Sequence, residues 1–130
     1  MKLLISATAT IMALSLPAFA EGAAEKGEKE FKKCKSCHAI KTEDETFVKG
    51  GRTGPNLYGI IGKAAGSQED FKYSDALSAA GADGLVWDEA NLAEFIQDPK
   101  AFLGDKSKMT FKMKKNSEHV AAFLATFSAE

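Results

Sequence analysis

A chain of 130 residues with 17 Lys and Arg against 18 Asp and Glu, formal charge −1, has room for one modest domain. Its near-neutral balance provides no global basic surface for nucleic acid. Residues 1–20 read as a secretory leader: Lys2, an apolar run from Leu3 to Leu16, then Ala18-Phe19-Ala20 as the small-residue cleavage site. The run is too short to span a bilayer well. Cleavage leaves residues 21–130 as a single exported domain, and losing Lys2 takes the formal charge from −1 to −2.

Segment 22–37 predicts a helix, with Ala24, Gly27, Phe31 and Cys34 on one stripe and Lys32, Lys33 and Lys35 near the C-terminal end, where cations complement the dipole. Gly27 inside it costs about 1 kcal/mol relative to Ala, which close packing against another helix would explain. Residues 39–72 read as loop, punctuated by glycines from Gly50 to Gly66. A short helix over 74–80 ends at Gly81. Asp88 caps a helix with Leu92, Phe95 and Ile96 on one face; Pro99 stops it and opens another, capped by Asp98 and closed by Gly104. A last helix over 117–128 carries Val120, Phe123, Leu124 and Phe127 at helical spacing. Few short helices joined by such long loops imply that the loops wrap something or form a site. The glycines of 50–66 match neither G-x-G-x-x-G nor G-x-x-x-x-G-K-[ST], which argues against a nucleotide.

Both cysteines and one of the two histidines fall in "CKSCH", Cys34 to His38. C-x-x-C-H is the attachment signature of c-type haem: two thiols one turn apart add to the two vinyl groups on a porphyrin edge, and the adjacent imidazole binds the iron. Three other readings compete. A Cys34–Cys37 disulfide or thioredoxin-like motif suits an exported chain but lacks the surrounding strand and helix pattern. A zinc site needs four ligands, and only His119 is left to join these three. A chance pair of core thiols would lie open to oxidation outside the cell. For the far side of the iron the chain offers Met109, Met113 and His119. A thioether there raises the potential and closes the iron to small molecules, although two methionines four apart also suit core filling.

In order along the chain, "GEKEFKKCKSCHAI", "KGGRTGPNLYGIIGKAAG", "FKYSDAL", "LVWDEANLAEFIQDPKAFL", "KMTFKM" and "VAAFLATF" resemble the class I c-type cytochromes, specifically the bacterial cytochrome c2 group close to mitochondrial cytochrome c. The resemblance implies an all-α fold, several short helices and long loops wrapped around one covalent haem c. It implies Cys34 and Cys37 as thioether anchors, His38 and Met109 as axial ligands, and Pro55 as the carbonyl that holds the His38 ring. Tyr73 and Trp87 resemble residues that hydrogen-bond a buried propionate. Lys63 stands where an arginine is common, and Phe95 where mitochondrial proteins carry a tyrosine. The implied function is electron transfer, not enzymatic catalysis: a monomeric periplasmic shuttle between membrane redox complexes, from a quinol-oxidising complex to a photosynthetic reaction centre or terminal oxidase. Lys33, Lys35, Lys100, Lys106, Lys108 and Lys112 would dock on acidic patches of those partners. An open sixth site, as in a haem peroxidase or gas sensor, and a haem-free disulfide domain are the contrasting readings.

Overall fold

The computed structural model describes residues 18–127. The expected leader lies outside them, apart from Ala18 to Ala20 at the start of the first helix. Among the described residues the helices are α1 (Ala18–Glu30), α2 (Asp75–Ala82), α3 (Glu89–Gln97), α4 (Pro99–Leu103) and α5 (Ser117–Ala125). Between α1 and α2 lies one antiparallel pair, β1 (Ile40–Lys41) and β2 (Thr46–Val48). The architecture is the expected all-α one with this hairpin added. Its turn is closed by Thr42, whose N–H donates to Glu45 O at 2.8 Å and whose hydroxyl accepts from Glu45 N at 3.0 Å.

The helix expected over 22–37 is α-helical only to Glu30. Phe31–Lys33 tighten into a 3₁₀ turn, where the N–H groups of Cys34 and Lys35 both reach Phe31 O. The next turn, in which His38 N donates to Cys34 O at 3.0 Å, brings the pentad around a tight corner. Phe31 is the anchor: it is buried, with its ring 5.5 Å from that of Phe123.

The main helix contact is α1 on α5, and α3 also packs against α5. Gly27 makes the first contact possible. A Cβ there would run into the His119 carbonyl and come within 2.7 Å of Phe123 Cβ. The helix-propensity gain of Gly27→Ala, about 1 kcal/mol, is therefore opposed by overpacking against backbone, which costs ~1–3 kcal/mol and falls at the upper end where the neighbour cannot rotate away. Gly27→Ala should lose roughly 2 kcal/mol net in urea unfolding of the pigmented protein. Native stability in that variant would show that α1 and α5 separate without cost.

Gly81 does not end α2, as the sequence suggested, but lies within it. Its missing side chain lets the helix touch the Ala65 carbonyl, and the chain turns instead at Gly84, where φ is 107°. The later caps form as expected. Asp88 accepts from Asn91 N at 2.7 Å in a reciprocal capping box, and Asp98 accepts from Ala101 N at 3.1 Å ahead of Pro99. Gly104 closes α4 with φ 68°. The last helix ends at Ala125, short of the expected 128, and Phe127 turns back so that its carbonyl accepts from Gly59 N at 2.9 Å.

Candidate functional site

The helices and the 53–74 loop enclose a cavity of about 390 Å³, within the range of cofactor sites. Cys34, Cys37, His38, Pro55, Tyr73, Trp87 and Met109 all line it, although they come from five separate stretches of chain. Leu92, Phe95 and Ile96 supply apolar wall from α3, and Val120 and Leu124 from α5.

Cys34 is buried in that wall and Cys37 is exposed at its edge; both are free thiols. Burial pushes the Cys34 thiol up to about 11, so a thiolate is disfavoured there and a neutral thioether suits the surroundings. Among the described residues no three His, Cys, Asp or Glu side chains gather as a metal-binding group. His119 lies away from the cavity, with Nε2 3.6 Å from Glu118.

His38 Nδ1 donates to Pro55 O at 2.8 Å. The carbonyl can only accept, so the proton belongs on Nδ1 and the Nε2 lone pair is left free. Burial lowers the basicity of the ring below the usual imidazole range, with the Pro55 bond opposing it in part; the imidazole is neutral near pH 7. Gly54 gives the ring its room, since a Cβ there would collide with it. A neutral imidazole with a fixed tautomer, two thiols on one edge and a thioether on the same apolar cavity fit a covalent haem.

Met109 sits half-buried in an irregular loop after α4, where its N–H donates to Ser107 Oγ at 3.2 Å. Lys108 Nζ donates to Lys72 O at 2.7 Å and Lys112 pairs with Asp98 at 3.3 Å, tying the loop to two neighbours. Met113 does not line the cavity: it is 4% exposed, in the core, with its N–H on Ile96 O at 3.0 Å. The two methionines thus take different roles in an extended segment instead of sharing a helical face.

Trp87 is placed by a short ladder between 62–65 and 85–87, in which Gly62 N donates to Trp87 O and Trp87 N to Lys63 O. Its ring lies 5.1 Å from Phe95. Lys63 lines the cavity with Nζ on Tyr58 O at 3.0 Å. The Tyr73 hydroxyl accepts from Gln68 N at 3.3 Å, and burial raises its pKa. Of the six docking lysines, Lys33 and Lys108 lie on the cavity wall; Lys35, Lys100, Lys106 and Lys112 do not. Lys33 also pairs with Glu30 at 2.8 Å. Sequence reasoning passed over Asn56 and Gln68, loop polar residues that carry no periodic signal, and treated Gly54 only as a loop residue.

No protein-family model matches the chain. It is 49% identical over 131 residues to cytochrome c2 of Rhodobacter capsulatus, covering 95% of both chains. Over 141 aligned positions it is 50% identical to cytochrome c-550 of Paracoccus versutus, covering 100% of this chain and 92% of that one. The solved structure of the Rhodobacter capsulatus cytochrome c2 superposes with a TM-score of 0.77 at 49% identity, covering 79% of this chain and 96% of that one. The X-ray structure of ferric cytochrome c-550 from Paracoccus versutus gives the same TM-score, 0.77, over 82% and 98%.

Proposed function

The chain is a class I c-type cytochrome of the cytochrome c2 group, and on that premise we propose that it is a soluble periplasmic shuttle passing single electrons between membrane redox complexes through a His38/Met109-ligated haem. Membership makes it an electron carrier with one covalently attached haem c, not an enzyme. The observation that carries the finer reading is the convergence of Cys34, Cys37, His38 and Met109 on one apolar cavity.

Bound haem supplies a reversible one-electron iron couple. Cys34 and Cys37 would hold its edge through thioethers. His38 would offer the group its Nε2 lone pair, since its Nδ1–H donates to the Pro55 carbonyl. Met109 would offer its thioether from a loop that Lys108 and Lys112 tie to its neighbours, a donor type that closes iron to small molecules. Leu92, Phe95 and Ile96 line the cavity with apolar surface that excludes water, and Tyr73 and Trp87, on the same wall, would offer polar hydrogens to the group's carboxylates. Cleavage after Ala20 frees residues 21–130 as a monomer; among the described residues no helix is long and apolar enough to cross a membrane.

Docking rests on the lysines next to the pentad and the methionine loop. Lys33 and Lys112 are partly neutralised by Glu30 and Asp98, whereas Lys35, Lys100 and Lys106 are exposed and have no ion pair among the described residues. Exposed charges beyond about 8 Å are screened at physiological salt, so this local patch outweighs the formal charge of −2. The second-order rate of electron transfer to a quinol-oxidising complex or terminal oxidase should fall as salt rises. A Lys35→Glu, Lys106→Glu variant should be slower and less salt-sensitive. A flat native profile would remove the lysine steering, and no transfer at any salt would remove the shuttle.

A further inference from the structure

His38 hangs on the Pro55 carbonyl, yet Pro55 lies in a stretch without helix or strand, so something else must hold that carbonyl in place. Backbone bonds pin the chain on either side, Gly54 N to Cys37 O at 2.8 Å and Leu57 N to Ala39 O at 3.0 Å, and side-chain hydrogen bonds around Asn56 complete the hold. The Asn56 side chain closes a two-bond clasp on Lys41, accepting from its N–H at 3.1 Å and donating to its carbonyl at 2.8 Å. Asn56 Oδ1 also accepts from Tyr58 N at 3.2 Å. The main-chain carbonyl of Asn56 accepts from Gln68 Nε2 at 2.7 Å, and the N–H of Gln68 donates to the Tyr73 hydroxyl. We propose that Gln68 and Asn56 are positioning residues for His38, clamping the Pro55–Asn56 segment so that the Pro55 carbonyl stays on the imidazole Nδ1–H. The inference rests on His38 being the proximal ligand.

A second feature gives the clamp a further role. Behind Pro55 lies a cleft of about 470 Å³ of mixed polar and apolar lining, bordered by Lys41, Lys49 and Arg52. Gly54, Pro55, Gln68 and Phe71 line both this cleft and the haem cavity, so they form the partition between them. Gln68 is the polar side chain of that partition, and Asn56 lines the cleft side. Releasing the Gln68 contact loosens the wall through which solvent from the cleft reaches the His38 ring N–H.

The test uses the haem-loaded ferrous protein, with histidine ring nitrogens labelled with ¹⁵N. The His38 ring protons of the native protein must first show the large upfield shifts of an axial ligand; their absence would remove the ligand assignment itself. With that assignment in hand, solvent exchange of the Nδ1 proton is compared in the native protein, Gln68→Leu and Gln68→Glu. Gln68→Glu keeps the shape and removes the donor, which separates the hydrogen bond from packing. Exchange should accelerate about fivefold in both variants, the worth of one such bond. A weaker Pro55 bond makes the imidazole a poorer donor to ferric iron, so Gln68→Leu should shift the one-electron equilibrium about two- to fivefold toward the reduced form. Exchange decides the matter: native rates in both variants overturn the clamp, whatever happens to thermal stability.

Discussion

Replacing Cys34 and Cys37 together by Ala should yield a chain without covalent pigment that does not hold its fold. The reason lies in what the cavity would cost. Phe31, Ile60, Trp87, Leu92, Phe95, Ile96, Val120 and Leu124, eight of the eleven large side chains in the buried core, line the same space of about 390 Å³. Left empty, that space opens to water and takes the packing partner from these side chains, at about 1.5–3 kcal/mol for each that loses its burial, so exposing several costs on the order of 10 kcal/mol. That is comparable to the whole stability of a small domain, about 5–15 kcal/mol. Among the described residues there is one hydrophobic core, and a chain of this size with so much loop has no second to fall back on there. Haem staining after denaturing electrophoresis reports the covalent link, and far-ultraviolet circular dichroism reports the fold. The native protein should retain its stain after denaturation and the double variant should have neither stain nor helix. Each single variant keeps one tether and should be pigmented but less stable. A soluble, helical double variant without pigment would overturn the dependence of the fold on the tethered group.

What could be read in advance divides by the range of the interaction involved. The pentad from Cys34 to His38 is legible because its chemistry depends on spacing within one turn. The same holds for α3 and α4, whose limits follow from Asp88, Asp98, Pro99 and Gly104 acting within a few residues of themselves. Gly27 was legible as a packing glycine because a helical stripe ran through it, and the His119 carbonyl fills the space that stripe implied. Gly81 was not. It carries the same kind of contact, but with Ala65 in a distant loop, and a glycine near a helix end looks like a stop signal when its partner is unseen. The apolar stripe also concealed the end of α1, because Phe31 keeps the helical period while its carbonyl takes two N–H groups in a tightened turn. Strands of two and three residues are too short for alternation to register, which hid the hairpin of Ile40–Lys41 with Thr46–Val48. Asn56 and Gln68 were invisible for a related reason: a polar loop residue reveals its role only through its partners.

The two methionines allow the sharpest single-residue test. Met109→Ala should remove the sulfur-to-iron charge-transfer band, lower the reduction potential and open the iron to carbon monoxide, to which the native protein should be indifferent. The loop should survive the change, because its attachments lie elsewhere: Lys108 on Lys72 O, Lys112 on Asp98, and Met113 N on Ile96 O. The variant therefore keeps its cavity wall and loses a ligand, which makes the effect readable as electronic instead of structural. Axial ligands span roughly 0.8 V, and a neutral thioether sits toward the high end, so the fall should be on the order of 0.1–0.3 V. Met113→Leu is the matched control. Met113 is more deeply buried than Met109, and a rule that equated burial with importance would assign it the larger effect. A volume-conserving swap in a core costs under about 1.5 kcal/mol, and it leaves the iron untouched. Its spectrum, potential and indifference to carbon monoxide should match the native protein, with only a small loss in thermal midpoint. If Met113→Leu lost the charge-transfer band and Met109→Ala kept it, the sixth ligand would have to come from the core side of Ile96, and the loop after α4 would need to refold around the bound group.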